Sequence, residues 1–544
     1  MKSMKRFIIF FLIFSLSGVY ASELRDMIKA AVAENRNSIT LEKKVYRLRK
    51  SVLLENVKNF TIDGSGAEIV MLKNDITAFK LVNSESIVIK NLSVDYDPLP
   101  FTQGVVTEVN GSKFVFTVDN GYPKLNKEFR KSYIHLFDAA GEWKKSSADV
   151  YGSMKIISSD KAEFTVRGNH VVEKGDRVVV NFRSPSAFSM SRCGKLEFYN
   201  INIYASPGVA FHGRYGRGKA VFENVRIIRK KDGRLFASCA DGINLATSSG
   251  GAVIRNCEFS YLGDDGINFH SELLPVAVRR DGKKFAFVYP YGQFKTHFEE
   301  VFKTGDEMIF VRPGDYKIIG RARLESISVS KDRTLEKLAP EFFPVRGTSG
   351  VSVYEVTAAE EIDIPRGSFF YVPASGVENF EISNNYFHDH RARGIRIMSS
   401  RGVIENNRFE RLKTAAVTLG GEFNYWRESG WCSNIIVRNN IMREIGYSSI
   451  TRADNYVPGV ISTFARLDGR KYKPVPENRD LLIENNLISD SPGAAVFLYA
   501  ADNVTLKNNR IEQCATADTI PGKNLGYRNF APVWIQNSGN IIQK

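Results

Sequence analysis

The 544-residue chain contains only five cysteines, four tryptophans and seven histidines. No two cysteines have a C-x-x-C spacing, which argues against a structural zinc site or a dithiol redox centre. We predict that the cysteines are small buried thiols, and the sequence leaves open whether Cys239 and Cys257 form a disulfide. Lys and Arg exceed Asp and Glu by 15, but the excess is spread along the chain. A nucleic-acid partner is therefore not expected.

Long apolar runs are equally scarce. The segment Phe7–Leu16 is apolar and follows three basic residues, and small residues lead from it to Ala21. It is shorter than the roughly 20 residues that cross a bilayer core. The pattern predicts a signal peptide over residues 1–21 and an exported protein, periplasmic or secreted, without a stable membrane anchor.

What the chain does contain is a recurring phrase of alternating apolar residues that ends in one or two asparagines. The interval between neighbouring copies is 22 residues from Asn385 to Asn407 and 23 residues from Asn486 to Asn509. Short β-branched runs with such a period predict a right-handed parallel β-helix, in which asparagine either adopts the left-handed turn conformation or hydrogen-bonds to the next coil. The copies are Ile87–Leu92, Val221–Arg226, Val253–Cys257, Phe380–Asn385, Val403–Asn407, Ile436–Asn440, Leu482–Asn486 and Val504–Asn509.

Two stretches, 101–187 and 272–375, lack this phrase and alternate like hairpins. We interpret them as two inserted β-barrel-like domains. Helical spacing over residues 23–35 predicts a helix that caps the open N-terminal end of the coil stack. The expected order is a cap with the first coils (22–100), the first insert, central coils with the acids (188–271), the second insert, and C-terminal coils with a tail (376–544).

The central coils carry a cluster of carboxylates. Segments Pro207–His212, Asp241–Ala246, Asp265–His270 and Arg393–Met398 align without gaps. In this alignment Asp265 stacks beside Asp241 at about 4.8 Å between backbones, and Asp264 stands at the turn just before.

Facing carboxylates repel each other, which raises one pKa and makes the pair costly as mere structure. Asp241, Asp264 and Asp265 can instead divide acid and base roles, as glycoside hydrolysis requires. A Ca²⁺ site or a solvated Asp-Asp-Gly turn is the structural alternative. We predict no metal and no cofactor.

Several residues near these acids are candidates for binding a sugar. Alternation turns Asn244, Asn268 and Arg396 toward one outer face, and a Gly-flanked loop over residues 420–430 offers aromatic and amide groups. The loop aromatics could instead pack against an insert, and His270 could make a purely structural contact with an acid. The predicted sugar-binding residues are Asn244, Asn268, His270, Arg393, Arg396, Glu422, Asn424 and Trp426.

The segments Ala240–Asn244 and Gly263–His270, with 23 residues from Asp241 to Asp264 and two inserts, resemble glycoside hydrolase family 110. These are exported bacterial α-1,3-galactosidases. A more distant similarity links the acids to polygalacturonase-type β-helix hydrolases. The chain lacks the Gly-His-Gly and Arg-Ile-Lys motifs of the latter, and has Arg396-Ile-Met398 where Arg-Ile-Lys would stand.

The resemblance implies an exo-acting, inverting hydrolase that releases terminal α-1,3-linked galactose from blood-group-B-type or linear glycans. Asp264 would protonate the glycosidic oxygen, while Asp241 and Asp265 activate water. Inversion is usually associated with carboxyl groups about 6.5–9.5 Å apart. The alternatives are another β-helix carbohydrate enzyme, such as a polygalacturonase-like hydrolase or a lyase, and a non-catalytic glycan-binding adhesin. Subunit number, including a homo-oligomer, is left open.

Overall fold

The computed structural model describes residues 20–129, 132–145, 149–168, 170–290, 296–343, 350–447, 455–468 and 472–544, and the side chains only from residue 24. Most of the predicted signal peptide, residues 1–19, lies outside this range. The N-terminal helix spans Tyr20–Ala33, close to the predicted 23–35. It buries Leu24, Ile28 and Ala31 against the first strands, so the expected cap is confirmed. Among the described residues, none of the helices combines the length and the apolar character needed to cross a membrane.

Strands of successive coils pair in parallel and form two long sheets, as the repeat predicts. Sheet A joins 19 of the described strands: Ser38–Thr40, Val45–Leu48, Lys58–Met71, Glu85–Tyr96, Leu196–Ile203, Ala220–Ile227, Ala252–Arg255, Glu258–Ser260, Phe380–Ser383, Tyr386–His388, Gly402–Glu405, Arg408–Glu410, Ser433–Arg438, Ile441–Arg443, Asn478–Glu484, Leu487–Ser491, Ala501–Lys507, Arg510–Cys514 and Gly539–Gln543.

Sheet B contains the acidic segments of the central coils. Its parallel strands are Val52–Glu55, Phe79–Val82, Phe188–Ser191, Phe211–Arg214, Ile243–Ala246, Ile267–Glu272, Ile395–Met398, Val417–Leu419, Gly459–Thr463, Ala494–Tyr499 and Val533–Gln536. The short strand Glu428–Ser429 adds antiparallel to Ile267–Glu272, so the loop predicted to bind sugar folds back onto the acidic coil.

Both predicted inserts are antiparallel β-structures. The first is a closed six-stranded barrel of Phe101–Asn110, Lys113–Val118, Tyr133–Phe137, Val150–Ser158, Lys161–Val166 and Arg177–Asn181. The second is a seven-stranded sheet of Leu274–Pro275, Val278–Arg279, Lys284–Tyr289, Glu307–Val311, Ile318–Val329, Ser352–Ala358 and Phe369–Tyr371. Its short helices are Phe298–Val301 and Ala339–Phe342, and the 3₁₀ turns of the chain are Arg333–Leu338, Pro373–Ser375 and Lys523–Leu525.

The coil interior is apolar and continuous, with rings stacked from coil to coil. Phe259, Phe387 and Phe409 stack at centroid distances of 4.7 and 4.9 Å. All five cysteines are buried free thiols, so no disulfide joins Cys239 to Cys257.

The paired asparagines of the repeat divide two tasks between them. Asn406, the first of its pair, adopts the left-handed conformation (φ 57°) at the turn. Asn407, the second, is buried and donates its amide to Asn440 Oδ1 at 3.0 Å while accepting from Asn385 Nδ2 at 2.9 Å. The same bonds continue through Asn486 and Asn509, so a buried amide ladder ties the C-terminal coils together.

We predict that Asn407→Ala lowers the free energy of unfolding by roughly 2–4 kcal/mol, because it leaves buried partners on two coils unsatisfied. Asn406→Gly is the matched control. It should cost under about 1 kcal/mol, since glycine also adopts the left-handed turn. Chemical denaturation of the two variants checks this, and equal losses would contradict a ladder role for Asn407.

Candidate active site

The Asp-Gly pairs stand where the coil enters sheet B, directly over the stacked phenylalanines. A side chain at Gly242 would meet the carbonyl oxygen of Gly266 at 2.5 Å and the ring of Phe259 at 2.8 Å. Gly266 is confined in the same way by Gly394 and Phe387. Glycine is therefore required directly after Asp241 and directly after Asp265, because only glycine lets neighbouring coils pack this closely.

The predicted stacking of the acidic coils is confirmed. The amide of Gly242 donates to the carbonyl of Asp265 at 2.9 Å, and the amide of Gly266 donates to the carbonyl of Arg393 at 2.9 Å. Asn244, Asn268 and Arg396 are direct neighbours across three strands.

The alignment of the preceding coil was wrong by two residues. Phe211 pairs with Ile243, so His212, and not Ala210, stands beside Asn244. Segment Pro207–His212 therefore does not superimpose on Asp241–Ala246. A two-residue shift keeps every side chain on its own face, so the apolar pattern cannot distinguish the two registers.

The three aspartates converge on one point. One carboxylate oxygen from each lies within 4.8 Å of the others. Asp265 and Asp241 are buried, with 1% and 6% exposure, and Asp264 is partly exposed. This distance joins single oxygens, whereas the 6.5–9.5 Å associated with inversion separates whole carboxyl groups, so inversion stays a prediction.

Asp265 is held from the following coil. Arg393 donates through Nε at 2.8 Å and through Nη2 at 2.9 Å, a bidentate pair, and its backbone amide donates to the same carboxylate at 3.1 Å. Arg396 lies 3.9 Å away from it. Such a clamp orients the carboxylate in a buried position.

Asp264 is held by two arginines that the sequence did not identify. Arg183, in the segment that leaves the barrel, forms an ion pair with it, and Arg391 approaches it at 3.0 Å. Arg391 also binds Asp149 of the barrel through Nε at 2.8 Å and Nη2 at 2.6 Å. Arg391 stands two residues before Arg393 and could have been suspected, whereas Arg183 and Asp149 carry no motif.

These contacts shift the pKa values of two neighbouring carboxyl groups, Asp241 and Asp264, in opposite directions. Burial, together with the charges of Asp264 and Asp265, raises the pKa of Asp241 to about 8. Burial acts in the same direction on Asp264, but Arg183, Arg391 and Arg393 outweigh it and hold its pKa well below the usual value. The surroundings therefore favour the protonated form of Asp241 and the ionised form of Asp264.

Buried amide oxygens beside the aspartates point toward a polar ligand. Asn244 donates to Asp241 at 2.8 Å, yet Oδ1 of Asn244 and Oδ1 of Asn268 have no hydrogen-bond partner among the described residues. Unsatisfied buried acceptors are costly, and hydroxyl groups of a sugar would satisfy them.

The loop residues extend this polar surface. Glu422 is buried and accepts from Arg396 at 2.5 Å, and it also pairs with Arg466. Tyr456, which the sequence did not single out, lies 3.4 Å from Glu422 and 3.5 Å from Arg393.

The remaining predicted contacts lie around this surface. His270 is buried with Nε2 3.9 Å from Glu428, and burial lowers its pKa to about 4, so it is neutral at pH 7. Asn424 donates to the Leu467 carbonyl at 3.0 Å, and Trp426 is exposed beside Tyr425. Sugar binding by these side chains stays a prediction.

The convergence of three carboxylates is also a geometry that could hold a metal ion. Here, however, guanidinium groups of Arg183, Arg391 and Arg393 surround the acids and would repel a cation. The arrangement is better suited to proton transfer than to metal binding.

The structure thus combines a right-handed β-helix with three converging carboxylates, two of them buried and one partly exposed. The model of the family "Right handed beta helix region" matches residues 349–469. The chain is 24% identical to alpha-1,3-galactosidase B of Phocaeicola vulgatus, over 90% of this chain and 83% of that protein. It is 25% identical to alpha-1,3-galactosidase B of Bacteroides fragilis, over 85% and 79% respectively.

Among solved structures, the exopolygalacturonase of Thermotoga maritima matches with a TM-score of 0.39 and 12% identity, over 96% of this chain and 88% of that one. The resemblance to the α-1,3-galactosidases, first seen in the acidic motifs, is confirmed along most of the chain by the relatives' sequences. The names of these relatives indicate a glycosidase.

The raised pKa of Asp241 predicts a stability effect with a defined sign. The folded state keeps a proton that the unfolded chain releases above its usual pKa of 3.8, so wild-type stability falls as pH rises from about 4 to 8. Asp241→Asn removes this cost, and we expect it to be more stable than wild type by roughly 2–4 kcal/mol at pH 7.5, with little difference near pH 4.

Asp264→Asn is the matched control with the opposite sign. Its carboxylate is stabilised in the charged form, so the amide should lose stability at pH 7.5. Denaturant unfolding at pH 4.5 and 7.5 measures both. The difference in free energy of unfolding between wild type and Asp241→Asn should change with pH. A difference that is the same at both pH values would contradict a raised pKa for Asp241.

Proposed function

We propose that this protein is an exported, exo-acting, inverting glycoside hydrolase that releases terminal α-1,3-linked galactose from glycans. Blood-group-B-type and linear α-1,3-galactosides are its substrate class. The curated relatives named alpha-1,3-galactosidase support this choice of sugar and linkage. The convergence of Asp241, Asp264 and Asp265 in one buried cluster is the observation that carries the chemistry.

One proton and three carboxyl groups suffice for the reaction. A carboxylic acid must protonate the departing glycosidic oxygen, and a carboxylate must take a proton from the attacking water. A water molecule that donates a hydrogen bond of about 2.8 Å to each of two carboxylates spans up to about 5.6 Å between their oxygens. The 4.8 Å cluster is therefore small enough for two of its members to share one water.

We assign the acid role to Asp264, as the family resemblance implies, on the condition that it receives the proton held by Asp241. In the empty site Arg183 keeps Asp264 charged. The Arg183 side chain is 39% exposed and reaches the acid from outside the coil stack. We infer that a bound sugar displaces it, which raises the pKa of Asp264 and draws the proton across from Asp241.

Once Asp241 is ionised, it and Asp265 hold the water. The water adds to the anomeric carbon as the bond to the glycosidic oxygen breaks. Its proton passes to Asp241, and Asp264 gives its own proton to the leaving oxygen. Each turnover thus restores the proton to Asp241, where the ligand-free site keeps it.

We predict that Asp241→Asn, Asp264→Asn and Asp265→Asn each slow hydrolysis of an α-1,3-linked galactoside by about 10²–10⁴-fold. An amide at position 241 or 264 cannot transfer a proton, and an amide at position 265 no longer holds the water as a carboxylate does. α-Galactosyl fluoride separates the roles, since fluoride leaves without an acid. Asp264→Asn should retain most activity on the fluoride, whereas Asp241→Asn and Asp265→Asn should not. Rescue of Asp241→Asn alone would assign the acid role to Asp241.

Stereochemistry provides an independent test. A carboxylate nucleophile about 5–5.5 Å from the acid would give retention through a covalent intermediate. Water held by two carboxylates gives inversion in one step. We expect early proton NMR spectra to show β-galactose released from an α-galactoside. Initial α-galactose would exclude the water-clamp mechanism.

A further inference from the structure

A second cavity of about 620 Å³ lies between the first coils and the barrel. Its volume is within the range of small-molecule sites. One wall belongs to sheet A, from strands Val45–Leu48, Lys58–Met71 and Glu85–Tyr96, and the barrel loop of residues 121–124 faces it. None of the three aspartates lines it, and their strands belong to sheet B.

The floor of this cavity is a rigid ion pair. Arg234 donates to both oxygens of Asp95, at 2.7 and 3.2 Å, and each side chain is only 7% exposed. Arg234 is held from its other side by Asp232 at 2.6 Å. The Asp95 carboxylate and the Arg234 guanidinium thus line the cavity as a pair with little freedom to move, and Asp232 holds Arg234 in place.

The walls of the cavity also carry ion pairs. Lys230 pairs with Glu68 at 2.7 Å, and Arg47 pairs with Asp97 at 3.3 Å nearer the solvent. Lys124 of the barrel loop also lines the cavity as an exposed cation. A charged ligand that enters past it would still have to break one of these pairs or meet like charge. A neutral polyhydroxylated ligand can instead donate to the carboxylates and accept from the cations at the same time.

The barrel loop adds an aromatic ring. Tyr122 is half-buried and lines the cavity between Gly121 and Pro123. Burial raises the pKa of its hydroxyl to about 12, so it remains a neutral donor and acceptor. An aromatic face beside paired polar groups matches the two sides of a pyranose, one apolar and one rich in hydroxyls.

We propose that this cavity is a second, non-catalytic site that binds a neutral galactosyl oligosaccharide. The choice of galactose rests on the proposed function, whereas the neutral carbohydrate class rests on the cavity itself. A site remote from the acids would keep a branched glycan at the enzyme while its other ends are cleaved, and would leave hydrolysis of short substrates unchanged.

The test uses the full-length chain with Asp241→Asn to prevent turnover, titrated calorimetrically with linear α-1,3-galactotriose. We expect two binding events per chain. Adding Tyr122→Ala should weaken one of them by about tenfold or more, whereas Tyr122→Phe, which keeps the ring, should leave both. Lys155→Ala, an exposed change elsewhere on the barrel, should have no effect. In the otherwise wild-type chain, Tyr122→Ala should leave hydrolysis of the trisaccharide unchanged.

The outcomes separate this inference from the proposed function. Cleavage of the trisaccharide by wild type, with a single binding event that Tyr122→Ala does not alter, would overturn the second site alone. A Tyr122-dependent event without cleavage would support the site and reject the proposed activity. If the trisaccharide is neither cleaved nor bound, both are rejected.

Discussion

The structure depends above all on the backbone hydrogen bonds between successive coils. They hold equivalent residues of neighbouring coils about 4.8 Å apart. The positions of the aspartates in the candidate active site depend on these hydrogen bonds. Asp241 and Asp265 are 24 residues apart in sequence, but the bond from Gly242 to Asp265 makes them neighbours. A solenoid of this kind places side chains more rigidly than loops do, because each coil is clamped on both sides.

The same hydrogen bonding brings carboxylates close enough to repel one another. Arginines offset this repulsion at Asp265 and Asp264 more than at Asp241. Arg393 lies one coil beyond Asp265 and neutralises it in a bidentate pair. Arg183 and Arg391 stabilise the charge of Asp264. Among the described residues, Asp241 has no arginine in ion-pair contact and accepts only from the amide of Asn244, and burial raises its pKa. Identical side chains thus acquire different protonation states from their surroundings, which is the condition for dividing acid and base work.

The barrel insert contributes charged contacts to the candidate active site. Asp149 belongs to it and fixes Arg391, and Arg391 in turn reaches both Asp264 and the carbonyl of Gly263. Arg183 follows the last barrel strand. The insert therefore sets the electrostatic state of one acid from outside the coil stack, and it also forms one wall of the second cavity.

The amino-acid sequence by itself determined the architecture and the acidic cluster. The asparagine period reports coil length directly, since a left-handed asparagine recurs at the same turn of successive coils, and in the C-terminal coils a buried asparagine follows it. The Asp-Gly pairs located the acids because glycine is demanded by close coil packing at Gly242 and Gly266. Such patterns involve residues that are neighbours in sequence, so they can be recognised without the structure.

Tertiary structure alone decided the register of the preceding coil, the partners of Asp264 and the position of the proton. His212 stands beside Asn244 because a two-residue shift is silent in an alternating pattern. Arg183 contacts Asp264 across 81 residues of sequence, and Asp149 binds Arg391 across 242 residues. No sequence motif marks either residue. A pKa depends on burial and on charges in space, so the three aspartates looked alike in sequence and became different only when the chain was folded.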